Sequence, residues 1–562
     1  MRFPTIFKTI ILFDGFFMLV DRKKVTEQIQ HNTFDICIIG GGATGAGCAL
    51  DAASRGFKVL LIEKEDFGSA TSGKSTKLIH GGVRYLEQAV KKLSIGQFKM
   101  VRKALQERNT LLRIAPHLTR RLPLITPCRS WLEGLYYFVG LWLYDRLSGP
   151  SKMGKSQLLS KKKAADIIPT LNQNHLSAAV LYYDGQLDDL RFNWALVDSA
   201  MAHGAIAMNH ASVTAFTKDS NGRLQKADMV DHLVGTNFTV HARCFINATG
   251  PFADPIRQMA NEKAAPRIRV SSGVHVLLPK KMMPSHAAML IPKTADGRLI
   301  FAIPYQDEVL LGTTDEEALL TDQEFGPTEP ELDFLLEHVN AYLDINARKA
   351  DVLAGFGGLR PLVKKAGGKT KDLVRDHEVE VDRQSGLISI LGGKWTTYRL
   401  MAKDTVDAAT AMLGSHAPCI THQITLTGGE GNEHLDPATL VDQCGFSEKI
   451  IHHLISKYGD KTATIIALAE KDPSLGHPIL PSLPYTFAEL QYVITQEMAY
   501  TVKDVIGRRW GVQHINWEHA LALIEPVGDY MKTHYQWSQS EEQLYIAHYK
   551  NELLQLMRAA GK

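Results

Sequence analysis

The chain has 562 residues, of which 45% are hydrophobic and 22% charged, and a formal net charge of +3. That length exceeds one compact core, so two or three domains are expected; the composition is that of an ordinary globular protein, and so mild a charge gives no argument for nucleic acid as a partner. The six cysteines (Cys37, Cys48, Cys128, Cys244, Cys419 and Cys444) form no C-x-x-C pair and no His/Cys group at metal-ligand spacing, which fits a reducing compartment and predicts neither a metal site nor a disulfide framework.

At the N-terminus, Phe3 to Val20 is apolar but broken by Lys8 and Asp14. It is short for a membrane span, and no small-residue cleavage site precedes Asp21. Met18 stands before a polar stretch, so residues 1–32 are expected to be an extension, disordered or reflecting a misassigned start, rather than an anchor. Asp35 to Ile39 then reads as a buried parallel strand. Gly40 to Gly45 is a turn, Ala46 to Ser54 a helix closed by Gly56, and Lys58 to Ile62 a second strand ending at Glu63.

Gly40, Gly42 and Gly45 form G-x-G-x-x-G. The first glycine permits the sharp turn, the second lets a pyrophosphate approach the backbone, and the third lets helix and strand pack closely. The phosphates sit at the helix N-terminus, where unpaired N–H groups favour anions. Glu63, about 20 residues on, can accept hydrogen bonds from an adenosine ribose and would repel a 2′-phosphate. The motif predicts an adenine dinucleotide without separating FAD from NAD. The hydroxyl-rich loop Gly68 to Lys77, leading into Leu78 to Glu87, suits a long cofactor. Ile246 to Pro251 resembles the second FAD fingerprint of glutathione-reductase-like flavoproteins, and both favour FAD. No second G-x-G-x-x-G occurs in a strand-turn-helix context, so NAD is not expected as the acceptor.

Residues 92–114 have helical periodicity. Trp131 to Leu147 crowds aromatic and aliphatic residues, flanked by Arg120, Arg121, Arg129 and Lys152; such a surface can lie in the headgroup region of an anionic membrane. Residues 176–310 contain short alternating runs that predict an antiparallel sheet. Gly250, Gly312 and the Gly355/Gly357/Gly358 cluster are expected at strand ends. The pattern loosens over 415–432, and the tail from 430 to 562 reads as a helical domain, with helices over Glu497–Ile506 and Glu541–Met557.

The runs GGGATGAG, TSGKSTKLIHGGVRYLE, INATGPF, GTTD, GGLRPL, VRDHEVEV and LGGKWTTYR occur in the order seen in FAD-dependent glycerol-3-phosphate dehydrogenases, a resemblance that covers residues 33–550, and the run from Lys77 through His117 resembles the mitochondrial type of that family. Gly73-Lys74 departs from the small or polar pair often found there. No EF-hand loop precedes Lys562, so calcium control is not expected. The resemblance implies an α/β + α protein: a glutathione-reductase-like FAD-binding Rossmann domain interleaved with an antiparallel-sheet substrate domain over 33–415, and a C-terminal helical domain over 430–562. It implies FAD, with contacts from Gly40, Gly42, Thr44, Gly45, Glu63, Thr71, Ser72, Ser75, Thr76, Leu78, His80, Gly81, Gly82, Ala248, Gly250, Gly393 and Lys394.

The reaction implied is oxidation of sn-glycerol 3-phosphate to dihydroxyacetone phosphate. It needs a phosphate anchor, a base for the C2 hydroxyl and a flavin N5 placed to take the C2 hydride. The resemblance points to Arg84, Tyr85, Arg360 and Lys394 for the substrate, with Thr313 and Arg375 beside them. Arginine suits the anchor because its planar fork meets phosphate oxygens in pairs. His275, inside an apolar strand, is the candidate base, and His80 is the second candidate, its other reading being a structural ring packed under the flavin. Electrons are expected to pass to ubiquinone or menaquinone at the inner face of the cytoplasmic membrane, with the protein cytoplasmic and peripherally attached; the alternative is an oxidase that reduces oxygen to hydrogen peroxide. Docking against the FAD domain and a homodimer contact are the two readings of Arg508-Arg509-Trp510.

Overall fold

The computed structural model describes residues 22–82, 95–149, 153–174, 176–292, 294, 297–364 and 377–562. Its first layer is a sheet centred on strand Thr33–Ile39, which pairs in parallel with Val59–Ile62 on one side and Asn237–Asn247 on the other. Ile206–Met208 and Ile388–Gly392 extend it in parallel. His377–Val381 closes one edge antiparallel, and the antiparallel pair Ala211–Lys218 and Leu224–Asp231 joins Asn237–Asn247. Both faces are covered, which explains the unbroken apolar run of the central strand: Ile36 and Ile38 enter one core, Cys37 and Ile39 the other. Helices Ala43–Ser54, Asp189–Ala202 and Tyr398–Leu413 pack together on this sheet.

The second layer is a ten-stranded sheet, antiparallel except where Thr119–Cys128 and Ala288–Ile291 run parallel. Ile268–Pro279 lies between Glu308–Gly312 and Ala354–Val363. Gly355, Gly357 and Gly358 therefore sit within a strand, not at its end as the sequence suggests. A side chain at Gly355 would meet the Pro327 ring and one at Gly357 the Phe325 ring, so these positions are glycine because another segment crosses the strand.

Ile95–Ile114 and Trp131–Leu147 are helices, the latter capped by the Ser130 hydroxyl on the Glu133 amide. Part of the expected N-terminal extension is ordered: Arg22–Gln30 is a helix that buries Ile29, and Arg22 pairs with Asp231 at 2.6 Å. The C-terminal helices dock on the first layer through Arg509–Asp66 and Arg191–Glu497, so the docking reading of Arg508-Arg509-Trp510 is the one this structure displays. The expected helix at 497–506 forms only over its second half, from residue 502. Phe487–Gln496 ends at Glu497, Met498 takes φ +54°, and the chain re-enters a wide π turn at Asp504–Arg509. Among the described residues, no helix is long and apolar enough to cross a membrane.

Candidate active site

A cavity of about 1490 Å³ runs between the two sheets. At its first end, strand Thr33–Ile39 turns at Gly40, whose φ of +105° and whose approach to the Ala248 carbonyl exclude a side chain. Helix Ala43–Ser54 begins with Gly42 as an N-cap that has no side-chain cap bond. The Ala43 amide is taken by Ser72 Oγ from the following loop, and Gly42, Ala43 and Thr44 line the cavity wall. A Cβ at Gly45 would lie 1.8 Å from the Gly40 oxygen, which is the close helix-strand contact the third glycine exists to allow. The Glu63 carboxylate accepts from the Gly41 amide at 2.6 Å and the Glu65 amide at 2.9 Å; burial raises its carboxyl against those bonds. A turn stripped of side chains, a helix N-terminus at the cavity wall and an acid at the next strand end fit a dinucleotide diphosphate and its ribose.

The hydroxyl-rich loop lies along the cavity, and much of its polarity braces the loop itself. Thr71 donates to the Leu359 carbonyl at 2.6 Å, Ser72 Oγ takes the Ala43 amide at 2.9 Å, and Ser75 donates to Asp189 at 2.7 Å. Lys77, fully buried, pairs with Asp189. Leu78 begins the short strand Leu78–Ile79. His80 and Gly82 line the wall, Gly81 gives its amide to Tyr144 Oη at 2.6 Å, and the His80 amide meets Thr396 Oγ1 at 3.2 Å. Ala248 and Gly250 face this stretch from the end of Asn237–Asn247, while Gly393 (φ +94°) and Lys394 face it from the end of Ile388–Gly392. Burial, then the charges of Lys394 and Arg108, push His80 down to about 4, so its ring is neutral at physiological pH.

Beyond the loop, His275 and Arg360 lie on neighbouring strands. His275 is 3% exposed, its ring stacks on Phe356, and its Nε2 is 2.9 Å from Thr76 Oγ1. Burial, then Arg360 and Lys77, hold its pKa well below the ordinary histidine value. Arg360 reaches the Ser272 carbonyl and Asp315 through Nη1, and Thr313 Oγ1 and the Thr314 carbonyl through Nη2, all between 2.8 and 2.9 Å. Its guanidinium lies flat on Gly273, where a Cβ would come within 1.9 Å. The structure thus brings His275, Arg360, Thr313, Lys394 and His80 to one cavity. Arg84, Tyr85 and Arg375 fall outside the described residues.

Sequence reasoning missed the group that encloses the loop. Lys74 pairs with Glu324 at 2.7 Å, and Arg508 pairs with the same carboxylate. Burial would raise the Glu324 carboxyl, but Lys74, Arg508 and Lys503 outweigh it and hold it well below the usual range. The unusual Gly73-Lys74 pair was the available signal, since Gly73 is tight against Leu190 and Lys74 is buried.

Comparison with known proteins agrees with this geometry. Residues 35–405 match the model of the FAD dependent oxidoreductases, and residues 419–542 match the C-terminal domain of alpha-glycerophosphate oxidase. The chain is 41% identical over 543 residues to a mitochondrial glycerol-3-phosphate dehydrogenase of Mesocricetus auratus, covering 93% of this chain and 74% of that one. It is 38% identical over 530 residues to a mitochondrial glycerol-3-phosphate dehydrogenase of Arabidopsis thaliana, covering 90% and 84%. The solved structure of glycerol-3-phosphate dehydrogenase from Bacillus halodurans, complexed with FAD, superposes with a TM-score of 0.78 at 28% identity and covers 96% of this chain and 98% of that one. The dinucleotide turn, the braced loop and these matches together place the chain in the family of FAD-dependent glycerol-3-phosphate dehydrogenases, with FAD as its cofactor.

Proposed function

We propose that the protein oxidises sn-glycerol 3-phosphate to dihydroxyacetone phosphate and passes the electrons to a membrane quinone, ubiquinone or menaquinone. The observation that carries the reading is the pairing of a neutral buried histidine, His275, with a guanidinium, Arg360, in the same cavity as the dinucleotide turn at Gly40. Bound FAD supplies the two-electron acceptor. Arg360 and Lys394 hold the phosphate dianion, with Arg84, Tyr85 and Arg375 as further substrate contacts. Asp315 and the carbonyls of Ser272 and Thr314 fix the Arg360 fork, so little side-chain freedom remains to be lost when it meets phosphate. His275 takes the proton of the C2 hydroxyl. With its hydrogen on Nδ1, the Nε2 lone pair is the acceptor and Thr76 Oγ1 is its resting donor. A histidine held neutral at physiological pH is in the state a base needs.

The membrane reading rests on helix Trp131–Leu147. Trp131, Leu132, Leu135, Tyr136, Val139 and Trp142 are exposed on it, an apolar face larger than scattered surface residues explain. With no spanning helix among the described residues, this face supports peripheral attachment to the inner face of the cytoplasmic membrane. Anaerobic addition of glycerol 3-phosphate should bleach the yellow protein, and a soluble quinone should restore its colour. Peroxide produced in air without an added acceptor, at a rate matching substrate oxidation, would assign the acceptor to oxygen instead.

A further inference from the structure

The His275 ring is wedged on its strand. It stacks on Phe356, its register partner on one side, and crosses Gly312, its partner on the other, where a Cβ would lie 2.3 Å from Cδ2. Nδ1 is buried and has no hydrogen-bond partner among the described residues, so Nε2 is the route by which a proton reaches the ring. That nitrogen is already engaged: Thr76 Oγ1 lies 2.9 Å from it.

Thr76 is held as firmly as the ring. Ser75 gives both its amide and its hydroxyl to one oxygen of Asp189, at 3.0 and 2.7 Å. The Lys77 ammonium binds the other oxygen, and the Lys77 amide returns to Ser75 Oγ at 3.0 Å. Asp189 itself is fully buried at the start of helix Asp189–Ala202. Thr76 is thus gripped through both neighbours, while Thr76 itself stays in the cavity wall. A neutral imidazole has one accepting nitrogen, with a single lone pair. With the Thr76 hydrogen on it, that lone pair cannot receive the substrate's hydrogen as well, and neither partner is free to step aside. A hydroxyl that donates keeps two lone pairs of its own, so Thr76 Oγ1 can accept from a substrate hydroxyl while it donates to His275.

We propose that Thr76 is a catalytic relay: the C2 hydroxyl of glycerol 3-phosphate gives its proton to Thr76 Oγ1 as Thr76 gives its own to His275 Nε2. The assignment rests on His275 as the base and adds the group that the substrate touches. The substrate O–H bond breaks as a new Oγ1–H bond forms, the original Oγ1–H bond breaks as Nε2–H forms, and the C2 hydride carries its electron pair to bound FAD. Thr76 ends as it began, and the ring ends protonated. A threonine alkoxide is too basic and its oxonium too acidic to persist, so both protons move in one step.

Single-turnover bleaching of the FAD-loaded full chain by glycerol 3-phosphate, without oxygen, tests it. Thr76→Val keeps the branched shape and removes the hydroxyl. It should slow bleaching by roughly 10²–10⁴-fold while the absorbance of bound FAD is retained. The substrate concentration giving half the maximal rate should change little, because Arg360 and Lys394 still hold the phosphate. Thr76→Ser, which returns the hydroxyl, should recover most of the lost rate. Because relay and base act as one unit, Thr76→Val/His275→Asn should be no slower than the slower single variant. A Thr76→Val enzyme within about threefold of wild type, beside a His275→Asn enzyme that has lost its rate, would overturn the relay and leave the base standing; losses that multiply in the double variant would do the same. A His275→Asn enzyme that keeps its rate would remove base and relay together. Should Thr76→Val be purified colourless, the proton count in the wild type decides. In mixtures of light and heavy water the bleaching rate should follow a bowed curve, as two protons in one step require; a straight line would mean a single proton and sink the relay.

Discussion

His275 shows how one residue is set for its work by what surrounds it. In water an imidazole is half protonated near pH 6.5; here burial, Arg360 and Lys77 favour the neutral ring. Its protonation therefore shuts the base off only when pH falls well below the ordinary value, so kcat/KM should stay flat through neutrality on its acid side. Replacement by asparagine should lower kcat by roughly 10²–10⁴-fold while the 450 nm absorbance of bound FAD is retained. A His275→Asn enzyme within about threefold of wild type would remove the residue from the role, since losing a positioned base costs far more. Arg360 offers a sharper test through its neighbour. Gly273→Ala places a methyl where Nη2 now lies, so the fork must move without any change in its charge. KM for glycerol 3-phosphate should rise by about tenfold or more, as loss of a charge-assisted contact implies, with FAD content unchanged. The histidine was legible in the sequence because a polar ring stood in an apolar strand. The brace of Asp315 and two carbonyls on Arg360 was not, because those partners are 45 to 88 residues away.

At the scale of the element, the dinucleotide turn was the most legible feature, since its glycines, helix and acid lie within one short stretch and each has a local steric reason. Gly45→Val should be purified colourless, because any side chain there collides with the Gly40 carbonyl; the ratio of flavin to protein absorbance checks it. The glycines at 355, 357 and 358 misled because a glycine that ends a strand and a glycine crossed by another segment look alike until the crossing segments, here Phe325 to Pro327 over Gly355 and Gly357 and Lys74 over Gly358, are placed. The loop hydroxyls carry a related ambiguity. Thr71 and Ser75 could as well serve a cofactor as a neighbouring carbonyl or carboxylate, and pattern alone does not tell which. Helix Trp131–Leu147 was legible as a helix, but its outward face was not. Trp142 is exposed, whereas Leu143 packs with Phe98, Val101 and Tyr144. Charge on the outer face is therefore the clean test. Leu135→Glu/Trp142→Glu should abolish co-flotation of the protein with liposomes, leaving quinone-independent bleaching by substrate intact.

At the scale of the molecule, the C-terminal helices are tied to the flavin layer by ions that left water to do so. Arg509 holds Asp66, Arg191 holds Glu497, and Asp504 meets His210 at 2.9 Å. Such pairs are close to neutral as wholes but expensive to halve, because the survivor keeps its desolvation cost. Arg509→Ala, leaving Asp66 only 2% exposed and without its cation, should destabilise the protein by about 3–5 kcal/mol, read as a lower urea midpoint. A second consequence concerns pH. Burial raises the Asp504 carboxyl, but His210 and Arg509 outweigh it and bring it down to about 2 from an ordinary 3.8. A depressed carboxyl contributes its stability above its unfolded value and loses it as pH falls toward the folded one. His210 is raised above its ordinary 6.5, burial being outweighed by Asp504. Its contribution is complete below 6.5 and fades as pH climbs through the raised value. The pair is thus strongest between those two ordinary values and weakens on either side. Removing Arg509 takes away one of the charges that depress Asp504, so its carboxyl protonates earlier. Acid unfolding of Arg509→Ala should then begin at a higher pH than in wild type, beyond the uniform loss seen in urea near neutrality. If the acid midpoints coincide once the neutral-pH loss is subtracted, Arg509 is a local clamp on Asp66 alone and does not reach the His210–Asp504 contact.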